Sequence, residues 1–294
     1  MTIAFLIEAH DDYEHLQRLV NTLKEHDVYI HLDEKSGNPP EINNAIFISN
    51  RISVFWAGFS QIDATMALVE AALKSGKKYD RFILLSGSCY PIRPIEDLLR
   101  LFSEDNRKNY INSMRVADSK HLSQQTSKLI WRDGVFPKSL ERTSNIRKIE
   151  RYFRALINLV IQFFPKKKIN YELYHGSNWW VLTEEAVSYV LNIYKTRKDI
   201  NNFFKFTFAS DEKYFQTLLR SGEFVGNCTK VTENDNNGTC VMPNLHLIDP
   251  SLSKWFTIND FGEIKNSSYY FVRKVRSKDG KELIDRIDSE LLKL

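Results

Sequence analysis

Residues 3–33, "IAFLIEAHDDYEHLQRLVNTLKEHDVYIHLD", read as strand, helix and strand. "IAFLIEA" is a near-continuous apolar run, as expected of a strand covered on both faces. Tyr13, Leu16, Leu19, Val20 and Leu23 then recur at helical spacing, and "DVYIHLD" returns to strand character. A strand, a crossover helix and a second strand at this spacing make a βαβ unit with a parallel sheet. Outward from it the alternation continues through "AIFIS" (45–49), "SVFWA" (53–57), a helix over 61–75 and "RFILLSG" (81–87). Pro91 and Pro94 break the chain before a helix near 95–102. The N-terminal third is therefore expected to be a doubly wound α/β sheet, which binds ligands beyond the carboxyl ends of its strands. Those ends carry His10 with Asp11, Asp33 with Lys35, Trp56, and Ser86 with Gly87.

The rest of the chain alternates less cleanly. From about 114 to 170 the periodicity weakens, and between Lys138 and Lys168 nine Lys or Arg face only Glu141 and Glu150. That local excess of +7 against a chain total of +4 leaves the remainder at −3, so one segment holds the positive charge. It reads as a basic insertion or mobile flank. Beyond it, "HGSNWWVLT" (175–183) has strand character, followed by a helix over 184–195 and another beginning at Ser210 in "FASDEKYFQTLL" (208–219). A hairpin around "TENDNNGT", a short helix near 258–264, the strand "SYYFVRKV" (268–275) and a charged helix complete the chain. We read 1–294 as one domain, with a nucleotide-binding part over 1–113, the insertion over 114–170 and an acceptor and catalytic part over 171–294.

Composition excludes several classes. At 43% hydrophobic and 27% charged residues the chain is a soluble globular protein, and +4 on 294 residues does not suggest nucleic acid. A nucleic-acid binder would interleave aromatic residues with the positive stretch on a sheet; here that stretch reads as helix. The N-terminus reads as a strand and not as an export signal. The apolar run 155–164 contains Asn158 and Gln162 and is too short to span a bilayer. Cys89, Cys228 and Cys240 fit a reducing compartment, with Cys228 and Cys240 expected as free thiols flanking the polar loop. A cytoplasmic protein is expected.

Motif absences narrow the chemistry. No G-x-G-x-x-G follows the first strand, and no G-x-x-x-x-G-K-[ST], H-E-x-x-H, C-x-x-C or G-x-S-x-G occurs. No two aspartates are separated by a single residue, so the D-x-D pair that commonly holds a divalent cation under a nucleotide diphosphate is missing. Arg273 and Lys274, fixed at the end of the last strand, are candidates to neutralise a diphosphate instead, with a solvated strand end as the alternative. Asp211 and Glu212 stand where acids ordinarily complement a helix dipole, which leaves capping and chemistry both open. Trp179 and Trp180 in "GSNWW" are expected on opposite faces of a strand, one in the core and one able to stack on a sugar ring; which is which stays open. Gly176 marks either a close backbone approach to a ligand or a turn.

Four blocks in order, "VYIHLDEKS", "WAGFSQIDATMALVEAAL" leading to "LLSGSCYPI", "GSNWWVLTEEAVSYVL" and "SDEKYFQTLL", resemble the core-2/I-branching β-1,6-N-acetylglucosaminyltransferase family, which also includes peptide xylosyltransferases. "YYFVRKV" matches the family's C-terminal basic motif more loosely. The resemblance implies a single GT-A-type, Rossmann-like glycosyltransferase domain: inverting, metal-independent and using a UDP-sugar, with no cofactor. It implies uridine contacts at Ala9, His10, Asp33 and Trp56, a general base at Glu212, and diphosphate binding at Lys274 with Arg273 beside it. A second basic residue of the family falls on Ser251, for which Lys254 is the nearby substitute. Cys89 stands where relatives carry an acid. Ser177, Trp179, Trp180 and Asp211 are the expected acceptor contacts.

The expected reaction moves a sugar, N-acetylglucosamine first and xylose or glucose behind it, to a glycan acceptor in β linkage. Because the chain begins at the first strand, a bacterial enzyme acting on lipid-linked precursors of a surface polysaccharide is expected. A non-catalytic glycan-binding protein is the rival reading. Partial burial would raise the Glu212 pKa and a helix N-terminus would lower it, and the sequence leaves the winner open. From Ile149 to Phe164 the apolar residues follow helical spacing between Arg147, Lys148, Arg151 and Arg154 on one side and Lys166, Lys167 and Lys168 on the other. Such a helix either lies at an anionic membrane interface or packs over the acceptor cleft.

Overall fold

Successive side chains of strand β1 (Ile3–Ala9) enter different cores, and so its sequence shows no polar face. Ile3, Phe5, Ile7 and Ala9 belong to one core, Ala4 and Leu6 to the other. The structure, a computed structural model, describes residues 1–136, 144–232 and 242–294. After β1 come α1 (Tyr13–Thr22), β2 (Asp27–Leu32), β3 (Ile46–Phe47), α2 (Ser60–Lys74), β4 (Arg81–Ser86), β5 (Cys89–Pro91) and α3 (Ile95–Glu104). The middle of the chain forms β6 (Met114–Arg115), α4 (Lys120–Ser127), α5 (Ser144–Ile161), β7 (Tyr174–His175) and β8 (Val181–Leu182). The C-terminal part forms α6 (Glu184–Thr196), α7 (Lys198–Lys205), α8 (Tyr214–Arg220), β9 (His246–Ile248), α9 (Phe261–Asn266), β10 (Phe271–Arg273) and α10 (Ser277–Ile287).

The main sheet has the order β3-β2-β1-β4-β8, parallel except for β8, which runs antiparallel to β4. Helices α1, α3, α9 and α10 contribute to the core on one face, and α2, α6, α7 and α8 to the core on the other. A small second sheet, β5-β10-β9, carries the end of the chain back beside β4. The N-cap of α1 stitches the two ends together: Asp12 accepts from His15 N at 3.4 Å and from Ser277 N, at the start of α10, at 2.8 Å.

Several expectations change. "SVFWA" is not a strand, because its backbone donors are taken by α2 side chains: Phe55 N by Ser60 Oγ at 2.9 Å and Ala57 N by Gln61 Oε1 at 3.1 Å. "AIFIS" contributes only the two-residue edge strand β3, and α7 was not anticipated. The hairpin around "TENDNNGT" and Cys240 lie outside the described residues.

The basic segment is anchored. Asp133 caps α2 by accepting from Phe59 N and Ser60 N, each at 3.1 Å, and a Cβ on Gly58 would fall 2.1 Å from its carboxylate. Lys166 is not a solvated lysine. Its ammonium donates to Thr207 Oγ1 at 2.6 Å and to the Phe206 carbonyl at 3.3 Å, and burial brings its pKa down to about 7.

Candidate active site

A cleft of about 410 Å³ opens beyond the carboxyl ends of the parallel strands. Part of its wall is two alanines in the left-handed region, Ala57 at φ 60° and Ala209 at φ 47°. Ala209 N donates to the Ala57 carbonyl at 3.2 Å, so each fixes the other. A non-glycine residue held this way costs about 1–2 kcal/mol, and such residues cluster where chemistry needs a set geometry.

Ala209 aims the two carboxylates. Residues Ser210–Glu212 form a single 3-10 turn ahead of α8, so the helix expected from Ser210 starts only at Tyr214, and Ala209 is the N-cap of the turn. Gly176 N donates to the Glu212 carbonyl at 2.9 Å, which clamps the turn to the end of β7. A Cβ on Gly176 would fall 2.2 Å from the Asn112 carbonyl oxygen, so the glycine serves a close approach of two backbones. The Glu212 side chain is 37% exposed and 3.9 Å from His175 Nδ1.

Behind it Asp211 is buried, and its Oδ1 has no hydrogen-bond partner among the described residues. Burial, reinforced by Glu212 and Glu8, pushes the Asp211 carboxyl up to about 8. Burial also raises Glu212 despite the pull of the Lys213 ammonium. Lys213 itself is buried and donates to the Phe208 and Ala209 carbonyls at 3.1 and 3.2 Å. At the end of β1, Glu8 accepts from Thr65 Oγ1 at 2.5 Å and is raised by burial to about 7.

Arg273 and Lys274 line the same cleft from the end of β10. Arg273 Nε donates to Ser86 Oγ at 3.0 Å, and its guanidinium lies 4.6 Å from the Trp179 ring centroid. Neither cation has a carboxylate within ion-pair reach among the described residues. Burial lowers the Lys274 pKa, and Arg273 beside it lowers it further. An Arg and a Lys without acidic partners, facing a cleft, are groups of the kind that can receive an anion.

Eight of the residues singled out from sequence line this one cleft: Trp56, Gly176, Ser177, Trp179, Asp211, Glu212, Arg273 and Lys274. Trp180 does not; it is fully buried against Phe215, ring centroids 5.0 Å apart, and belongs to the core. Trp179 reaches the cleft, but the Arg273 guanidinium already stacks on its ring. Trp56 is 72% exposed, edge-on to Phe208, and is the more open aromatic platform.

Ala9, His10 and Asp33 stand at the strand ends but are outside the lining. Asp33 is engaged by the Lys35 ammonium at 2.7 Å, and His10 is exposed beside Asp11. Lys254 is held away by Asp260 at 2.8 Å and Glu263 at 3.5 Å. Sequence reasoning missed Gln61, Asn178 and Phe208 in the lining; only Phe208, two residues before the turn, carried a signal. Among the described residues no three His, Cys, Asp or Glu side chains gather to hold a metal, and no helix is long and apolar enough to cross a membrane.

The chain is 24% identical to xylosyltransferase 2 of Rattus norvegicus over 316 residues, covering 98% of this chain and 33% of the relative. It is 24% identical to xylosyltransferase oxt of Drosophila pseudoobscura pseudoobscura over 84% of this chain and 28% of the relative. It is 22% identical to a xylosyltransferase of Ciona intestinalis over 94% and 32%. The chain thus spans about a third of the length of the relatives it matches. The family model described as Core-2/I-Branching enzyme matches residues 3–263, which takes in the whole parallel sheet and both cleft carboxylates and stops short of Arg273 and Lys274. With its α/β domain of the GT-A type, the chain belongs to the Core-2/I-Branching enzyme family.

Proposed function

We propose that this domain is an inverting glycosyltransferase that moves a sugar from a UDP-sugar to a hydroxyl of a glycan acceptor. One observation carries the reading: an Arg–Lys pair without carboxylate partners and a pair of carboxylates with raised pKa values line the same cleft. Inversion at an anomeric carbon is a single displacement. The acceptor oxygen forms its bond to the anomeric carbon as the bond to the diphosphate oxygen breaks. The acceptor's proton passes to Glu212, whose raised pKa suits a base working near neutral pH. Arg273 and Lys274 take the charge that develops on the leaving diphosphate, the work a divalent cation does where a D-x-D pair exists. Asp211, protonated near neutrality, is placed to donate to a sugar oxygen, and Trp56 offers an apolar face to a ring.

Two donors are in contention. The family's β-1,6-N-acetylglucosaminyltransferase members favour UDP-N-acetylglucosamine, and the relatives named xylosyltransferases favour UDP-xylose. Thermal unfolding with UDP-N-acetylglucosamine, UDP-xylose, UDP-glucose and UDP, all in chelator, tests the proposal. A ligand at 100 times its Kd stabilises the fold by about 2.7 kcal/mol. At least one UDP-sugar is expected to raise the midpoint without metal. Protection by none of them, or protection only after Mn²⁺ is added, would sink the assignment.

A further inference from the structure

Helix α5 packs with Glu150, Arg154 and Asn158 on its inward side. Glu150 is buried, and its carboxylate accepts from Val135 N at 3.0 Å. Asn158 bonds both backbone groups of Trp131, at 2.7 and 3.0 Å. The Arg154 guanidinium lies 5.2 Å from the Phe55 ring centroid. The apolar residues point the other way. Of the fifteen large apolar side chains exposed among the described residues, eight fall between Ile149 and Phe164, with Phe163 at 81% and Tyr152 at 72%. A contiguous apolar patch of this kind on a folded surface marks an interaction site.

Charge identifies the occupant. Arg147, Lys148 and Arg151 are exposed at the start of the helix, and Lys167 and Lys168 beyond its end. Glu150 is the sole acid from 144 to 168 and is turned inward. A second copy of the chain is disfavoured in either orientation, because parallel and antiparallel pairing both set cations on cations. An anionic bilayer satisfies both halves of the pattern: apolar side chains enter the acyl boundary and the flanking cations meet lipid phosphates. The helix, 18 residues or about 27 Å long, would lie in the interface plane.

We propose that α5 docks this protein on anionic membrane surfaces, with Lys148, Arg151, Lys167 and Lys168 at the headgroups. The opposite, inward face of α5 is the one that reaches towards the cleft. The loop that Asn158 and Glu150 hold also carries Arg132, whose guanidinium lies 5.0 Å from the Trp56 ring centroid. The proposal stands apart from the transferase reading.

Flotation of the full chain with vesicles of phosphatidylcholine alone, and of phosphatidylcholine mixed with phosphatidylglycerol, tests it. Binding is expected only to the anionic vesicles at low salt and is expected to be lost at high salt. Lys167→Gln with Lys168→Gln should lower the partition coefficient on the order of 30-fold, at roughly fivefold per cation. Leu156→Ser with Phe163→Ser should abolish binding at an unchanged unfolding midpoint. A folded wild-type protein that ignores anionic vesicles at low salt overturns the proposal. So does binding undiminished in both variants, or a concentration-dependent dimer that Phe163→Ser dissociates.

Discussion

Replacing Asp211 with asparagine isolates the proton that burial holds on this carboxyl. Asp211 is 6% exposed, and its pKa is raised from an ordinary 3.8 to about 8. Between those values the folded protein holds a proton that the unfolded chain has released. Stability therefore falls as pH rises, by about 1.4 kcal/mol per pH unit for one proton. From about pH 5 to about pH 7 the loss from this group alone is on the order of 2–3 kcal/mol. Glu8, raised from 4.5 to about 7, adds to the fall. His31 and His246, lowered from 6.5 to about 4 and about 3, act oppositely. Below their ordinary value the unfolded chain binds protons that these folded sites refuse, so their contribution grows as pH rises towards 6.5. All three backgrounds are common to wild type and Asp211→Asn, since a protonated Asp211 and an asparagine present the same charge to their neighbours. Urea unfolding of both proteins across this pH range reads the difference. The variant should gain 2–3 kcal/mol on wild type, by the order of magnitude above, as pH rises. Parallel stability profiles would mean that Asp211 is ionised in the folded protein and would refute the burial argument.

Glu212→Gln should keep UDP-sugar affinity in calorimetry and lose turnover by roughly 10²–10⁴-fold, the usual worth of a positioned base; a near-normal rate would return Glu212 to a structural role. Lys274→Gln should weaken UDP by about 10- to 100-fold and uridine hardly at all, as expected for a charge-assisted contact to phosphate. Equal losses for both ligands would move Lys274 off the diphosphate. Gly176→Ala must push the Asn112 backbone away and should destabilise the fold by at least roughly 2 kcal/mol in urea titration, with an unchanged midpoint counting against the contact. Transfer should persist in excess chelator, and loss that Mn²⁺ restores would contradict the role given to Arg273 and Lys274.

How much was legible depended on whether a residue's environment repeats along the chain. β1, β2 and β4 announced themselves because burial on both faces makes most of their positions apolar. The cleft groups were legible as types: an Arg–Lys pair at a strand end, adjacent acids before a helix, tryptophans beside a glycine. Their exact partition was not. Trp179 and Trp180 precede β8 on irregular backbone, so strand parity could not say that Trp180 enters the core. Ala57 and Ala209 gave no sign of left-handed backbone, because tertiary contacts impose it on residues without preference for it. For α5, periodicity defined an apolar face but not the direction it points. That depends on Glu150, Asn158 and Trp131 finding one another, which no local pattern encodes.

The route of β10 has a consequence for biosynthesis. Trp56 and Lys274 line one cleft, yet about 220 residues of translation separate them, roughly 10–40 s at ordinary elongation rates. By the time Glu212 is made the parallel strands of the main sheet are complete, but Arg273 and Lys274 follow about 60 residues later. If these two cations receive the diphosphate as proposed, its capture waits for the C-terminal strand to leave the ribosome.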